Sequence, residues 1–418
     1  MKKQAFYIII AGAFLFGSAC CFAGTPKKQK INYVKENFDF AGKQLRFAFK
    51  EVADAKAKDT PEARKERQAL GQGDLVSPRN TEPDGSLHLV ASSDWTSGFF
   101  PGELWMMYEY TKDNFWKKKA ELFTDNIEDQ KMNGKTHDMG FKMYCSFGNG
   151  YRLTKDNRYK DILLQSAKTM ATRFKPNAGI IRSWDHHTEQ WDCPVIIDNM
   201  MNLELLFWAT KISGDSTYYK IAERHALTTM KNHFRPDFSC YHVVDYDTIS
   251  GNVIKKNTHQ GYADHSAWAR GQAWALYGYT LCYRETLRPE FLQHAINVEN
   301  YIFSHKNMPA DLIVYWDFDA PNIPNEPRDA SAAAVMASAL YELSQYVPAD
   351  KAKKYKKEAD TIIENLTKNY RATVGKDNGF LLLHSTGTKP TDLEVDVPLV
   401  YADYYFLEAL LRKEALEK

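Results

Sequence analysis

Six stretches of this chain are apolar on nearly every side, and each follows a polar cluster. They are GFFPGELWMMYEYTKD from Gly98, SFGNGYRLTKD from Ser146, NLELLFWATKISGD from Asn202, RGQAWALYGYTLCYRET from Arg270, SAAAVMASALYELSQY from Ser331 and YADYYFLEALLRK from Tyr401. Between them run amphipathic stretches: YVKENFDFAGKQLRFAFKEV, FWKKKAELFTDNIEDQK, YKDILLQSAKTMATRF, YYKIAERHALTTMKNHF, EFLQHAINVENYIFSH and KKYKKEADTIIENLTKNY. These carry apolar residues at i, i+3, i+4 and i+7 with charges opposite, the pattern of a surface helix. The first set predicts helices buried on both sides. Its starts lie 48, 56, 68, 61 and 70 residues apart, which suits one helical hairpin plus a loop.

A single hairpin cannot bury its apolar face, whereas six can close into a ring. Neither the first nor the last unit shows the polar face that caps an open array. The pattern therefore predicts an all-α fold, an (α/α)6 barrel of alternating inner and outer helices. Short extended stretches such as CYHVVDYDTISGNVI at 240–254 predict β hairpins at its rim. The polar clusters before the inner helices would then share one mouth, where a site would form.

Composition changes this picture little. The chain has 418 residues, 44% of them hydrophobic, and no Pro/Gly/Ser-rich linker after the leader, so residues 24–418 are expected to form one domain. Lys2 and Lys3, an apolar run from Ala5 to Ala23 and small residues near the end of that run predict a signal peptide at 1–23 and export to the periplasm. Cys20 and Cys21 leave a lipid-anchored alternative open, although Gly17 stands where a lipoprotein signal has Leu. Losing the leader removes two Lys and no acid, which takes the formal charge from +1 to −1. Such a chain has no global field for nucleic acid or an anionic membrane, and no protein partner is implied. Cys145, Cys193, Cys240 and Cys282 form no CxxC pair and are expected to be buried free thiols.

Candidate chemistry lies in the loops before the apolar stretches. Asp198, in PVIIDNMM, is an acid with apolar residues on both sides, either a helix N-cap or a carboxyl of raised pKa. Asp138 enters the apolar Met139-Gly140-Phe141 in the same way, 60 residues earlier, about one repeat. Two carboxyls at one level of a ring can face each other across a pocket, as glycoside chemistry requires. Trp105 and Trp208 fall within helical stripes and read as core, whereas Trp95, Trp184 and Trp274 adjoin polar clusters and read as sugar-stacking candidates. No metal or cofactor is expected: HExxH, a complete EF-hand loop, a phosphate loop, a dinucleotide fingerprint and GxSxG are all missing from the sequence.

Several of these motifs resemble glycoside hydrolase family 88, the unsaturated glucuronyl hydrolases. They are DWTSGFFPG from Asp94, HDMGF from His137, SFGNGY from Ser146, IDNMMN from Ile197 and HQGYADHSAWARGQAW from His259. The resemblance runs from about residue 90 to the C-terminus and implies an (α/α)6 barrel with a central site. It implies Asp198 as general acid/base and Asp138 as a second essential acid. It further implies that His137, His242, Gln260 and Arg270 bind an unsaturated uronate, with two hydrogen bonds from Arg270 to its carboxylate, and that Trp95, Trp184 and Trp274 line the sugar site. Ser385 and Lys389 fall where some members meet the second sugar and its sulfate. The implied partner is an unsaturated uronic-acid oligosaccharide released by a polysaccharide lyase. The implied reaction is acid-catalysed hydration of its C4=C5 vinyl ether. Three other readings stay open: an unsaturated rhamnogalacturonyl hydrolase, a non-catalytic glycan-binding protein and a polysaccharide lyase on the same toroid.

Overall fold

The computed structural model describes Met1 and residues 32–70 and 73–418. The expected signal peptide at 1–23, with its alternative lipid-anchor cysteines, lies outside the described residues, as do residues 24–31. Residues Tyr33–Lys418 form one compact unit.

The six inner helices follow the six apolar stretches. α3 spans Phe99–Thr111, α7 Asn199–Ser213, α9 Ala269–Thr286, α11 Ala330–Leu343 and α13 Val400–Glu417. The sixth differs from expectation. It begins at Gly140 as a π-helical segment, Gly140–Gly148, and continues as α5, Asn149–Thr154. The outer helices are α1 (Tyr33–Ala57), α4 (Asn114–Asp125), α6 (Asn157–Ala171), α8 (Ser216–Asn232), α10 (Pro289–Ser304) and α12 (Ala349–Asn365), with a short α2 at Pro61–Ala69. Every residue of α11 is buried, because neighbours surround an inner helix on all sides. The last inner helix, α13, packs on both α11 and α3, which closes the ring.

Turn chemistry sets the hairpins. α3, α5 and α7 each end in a left-handed residue: Lys112, Lys155 and Gly214. The Asp that follows shortly after then caps the outer helix. Asp113, Asp156 and Asp215 accept from the N–H of Phe115, Arg158 and Thr217. Two glycines let inner elements touch. A Cβ on Gly98 would lie 2.2 Å from the Lys142 carbonyl oxygen, and one on Gly140 2.6 Å from Asn202 Cα.

The strands are short and cluster near the inner-helix starts. β1 (Leu75–Thr81) pairs with β2 (Leu87–Ala91), and β3 (Phe174–Lys175) with β4 (Ile180–Ile181). β5 (Pro194–Ile196), β6 (Val243–Tyr246) and β7 (Val253–Asn257) form an antiparallel sheet in which Ile196 faces Val243. Among the described residues no helix is long and apolar enough to cross a membrane. Among the described residues Cys145, Cys193, Cys240 and Cys282 are buried free thiols.

Candidate active site

A cavity of about 440 Å³ opens where the inner helices begin, and Trp95, His137, Asp138, Trp184, Asp198, Gln260 and Arg270 all line it. Asp198 is carried there by β5. It occupies the N-cap position of α7 but makes no side-chain cap bond, so its carboxyl serves the cavity and not the helix. Its Oδ2 is buried and has no hydrogen-bond partner among the described residues. Burial is the main cause that pushes its pKa up to about 7, and the Asp138 charge adds to the rise. Arg270, the Asp198 backbone and the Trp274 indole N–H act in the opposite direction.

His242 stands behind this carboxyl, with Nε2 3.7 Å from Asp198 Oδ2. Its Nδ1 accepts from the backbone N–H of His259 at 3.2 Å and of Gln260 at 3.1 Å. Burial holds its pKa well below the usual histidine range, so the ring is neutral. With Nδ1 an acceptor, the proton is assigned to Nε2, the atom that faces Asp198. His242 is therefore buried beneath the cavity wall, whereas a residue on the wall was expected.

Asp138 is tied differently. Thr136 Oγ1 donates to its Oδ2 at 2.5 Å, and His137 Nε2 lies 3.0 Å from its Oδ1. His137 Nδ1 is bonded to the Ser183 carbonyl at 2.9 Å and must be the donor there. Burial lowers the His137 pKa, which leaves a lone pair on Nε2.

Arg270 is buried, and its end-on edge is already committed. Nη1 donates to Asp329 at 2.8 Å and to the Thr386 carbonyl at 2.5 Å, and Nη2 to the Gly387 carbonyl at 2.7 Å. These bonds use three of the five N–H donors, while Nε has no partner. The expected two-bond grip on a ligand carboxylate thus reduces to the side-on edge, and the rest of the guanidinium fixes the 386–387 backbone. Gln260 likewise donates to Gly387 O at 3.1 Å and Thr388 Oγ1 at 3.2 Å.

Three of the expected residues do not line this cavity. Trp274 lies in the core against Phe141 and Tyr405, one turn beyond Arg270 on α9, with its indole near enough to Asp198 to act on that carboxyl's pKa. Ser385 is fully buried, bonded through its backbone to Val397. Lys389 turns to Asp392 at 3.1 Å. Thr388 is the residue of this segment that lines the cavity. Trp105 is core as expected, and Trp208 packs half-buried against the core.

Other lining residues escaped the sequence reading. Arg79, on β1, donates to Asp94 at 2.7 Å and Glu394 at 2.6 Å, bridging residues far apart in sequence. Tyr401 lies against both Trp95 and the Arg270 guanidinium. Lys135 and His186 complete the mouth. A second cavity of about 340 Å³, along the later turns of the inner helices, holds Arg152, Arg284 and Arg412. Each is paired with a glutamate, so these charges are already satisfied within the protein.

Residues 75–412 match Glycosyl Hydrolase Family 88. The chain belongs to that family. It is a glycosidase on a six-hairpin α/α toroid. The unsaturated glucuronyl hydrolase of Formosa agariphila is 54% identical over 334 residues, 79% of this chain and 82% of that protein. The crystal structure of an unsaturated glucuronyl hydrolase specific for heparin superposes with a TM-score of 0.84 at 44% identity, covering 92% of this chain and 98% of that one. A mutant of the Streptococcus agalactiae unsaturated glucuronyl hydrolase, complexed with dGlcA-GalNAc6S, matches with a TM-score of 0.71 at 27% identity over 91% of each chain.

Proposed function

We propose that this family 88 protein removes a C4=C5 unsaturated glucuronate from the non-reducing end of disaccharides made from glycosaminoglycans by polysaccharide lyases. One observation carries the reading: Asp198 is a desolvated carboxyl whose pKa is raised to about 7, in a cavity it shares with a second acid. A carboxyl that is part protonated at neutral pH is suited to general acid catalysis. The named relatives act in the same direction, since each is called an unsaturated glucuronyl hydrolase.

In this mechanism Asp198 donates its proton to C4, and positive charge develops at C5 and the ring oxygen. Water adds its oxygen to C5 and returns a proton to the Asp198 carboxylate. The resulting hemiketal opens and releases the second sugar. One carboxyl makes both proton transfers, so the carboxylate spacing that distinguishes retaining from inverting glycosidases does not apply. Asp138, whose Oδ2 accepts from Thr136, places a second carboxyl near the reacting ring. The Arg270 side-on edge offers Nε–H to the uronate carboxylate. We also propose export, with the 1–23 leader removed; mass spectrometry of the mature N-terminus tests this, and a lipidated cysteine would overturn plain cleavage.

The function is tested by following ultraviolet absorbance of the C4=C5 bond as protein is added to unsaturated disaccharides from chondroitin, hyaluronan and heparin. The reading requires absorbance to fall on at least one. A rise on intact polysaccharide would mark a lyase, and binding without any change a glycan-binding protein.

A further inference from the structure

The cavity's cations are unequally satisfied. Arg79 is held between Asp94 and Glu394, and Arg270 by Asp329. Burial lowers the pKa of His137, His186 and His259 on the same walls, which favours their neutral forms. Lys135 also lines the cavity, and among the described residues no acid sits within ion-pair distance of its ammonium. Acids near Lys135 in sequence, or across the Thr136–Trp184 bridge, are engaged elsewhere: Glu128 with Lys131 and Arg158, Asp129 with Ser92 and Gln130, Asp138 with Thr136, and Asp185 with Arg173 and Arg182.

The segment that carries Lys135 is pinned. Arg173 Nη1 donates to the Gly134 carbonyl at 2.6 Å, and Thr136 bridges to Trp184. The Lys135 N–H donates to Asn133 Oδ1 at 3.1 Å, and Asn133 in turn donates to Gln130. The backbone is thus fixed beside that of Trp184, while the Lys135 side chain is exposed at the mouth. His186 stacks on the same indole, with ring centroids 5.5 Å apart.

Asp198 and Arg270 lie on the buried floor, so the unsaturated ring must descend to them if C4 is to be protonated. The second sugar is then the part at the mouth, against Trp184. The 385–389 segment brings only Thr388 to the wall, and Lys389 is turned away to Asp392. We propose that Lys135 reads a sulfo group on the second, amino sugar of the disaccharide, making it a specificity-determining residue. This rests on the hydrolase reading for the orientation of the ligand. A compact ammonium suits a three-oxygen anion that approaches from several directions.

The test compares the unaltered protein, Lys135→Met and Lys135→Arg on unsaturated disaccharides that differ only in a sulfo group on the amino sugar. The expected result is that Lys135→Met lowers kcat/KM roughly tenfold on the sulfated disaccharide and less than about twofold on the other. Lys135→Arg retains most of the activity, and the sulfated advantage shrinks at high salt. Equal effects on both disaccharides, or none on either, overturn the Lys135 assignment while leaving the hydrolase reading intact. If the unaltered protein turns over neither, the hydrolase reading is judged on the chondroitin, hyaluronan and heparin disaccharides together, and calorimetry with the same pair still decides Lys135. Equal Kd values for the two ligands would then overturn it.

Discussion

His242 Nε2 and Asp198 Oδ2 lie 3.7 Å apart, both buried and neither with a hydrogen-bond partner among the described residues. The backbone N–H groups of His259 and Gln260 hold the imidazole with its Nε2 proton toward the acid. The pair is a donor and an acceptor just beyond bonding distance, beside the cavity where substrate charge would develop. His242→Ala is predicted to lower kcat by roughly a hundredfold, the scale of losing one positioned dipole. It also leaves two N–H groups without an acceptor, at about 1–3 kcal/mol each where they stay dry. Steady-state kinetics and denaturant unfolding measure the two effects separately.

The pH dependence follows from Asp198. A proton donor with a pKa of about 7 loses its proton as pH rises, so kcat/KM is predicted to decline above about pH 7, by up to tenfold per pH unit. A profile of kcat/KM from pH 5 to 9 on an unsaturated disaccharide checks this. A flat profile through pH 8 would contradict it.

Arg270 ties the cavity floor to the 386–387 backbone, so Arg270→Lys is predicted to do more than weaken ligand binding. An ammonium cannot meet Asp329 and both carbonyls in one plane, and the loss is about 2–4 kcal/mol of stability. Hydrogen exchange at residues 385–388 should quicken, and KM should rise. Unfolding experiments and exchange mass spectrometry read these outcomes.

Glu103 on α3 and Asp403 on α13 are buried together where the first and last inner helices meet. Asp403 accepts from the N–H of Leu381 at 2.7 Å and of Leu382 at 2.9 Å, while Glu103 Oε1 has no partner. Burial raises both, Asp403 to about 8 and Glu103 well above its ordinary value. Folded pKa values above the unfolded ones mean stability that is fully present below about pH 4 and lost as pH rises through about 8. Glu103→Gln removes part of that titration. The Tm of the unaltered protein is predicted to fall more steeply between pH 7 and 9 than that of the variant, as a calorimetric pH series would show.

The inner helices were legible because full burial leaves no polar stripe, and the outer ones because half-burial leaves one. The two acids were legible because an ionisable residue within an apolar run is costly without a role. What escaped notice depends on direction and distance. Trp274 adjoins a polar cluster in sequence, yet the helical rise places it one turn beyond Arg270, in the core. Ser385 and Thr388 share a loop, and nothing local says which faces inward. Arg79 sits in an unremarkable strand, and its partner Glu394 is 315 residues away, so only the closed ring reveals it. The early start of the second inner helix was hidden because π turns carry no distinct sequence period, although such turns often mark functional sites.

Protonation of C4 of an unsaturated uronate by Asp198 is read by running the reaction in D2O under NMR. The expected result is loss of the vinyl signal, one deuterium at C4 of the released uronate product, and neither change with Asp198→Asn despite retained binding. Turnover without deuterium at C4, or near-normal turnover by Asp198→Asn, would contradict it.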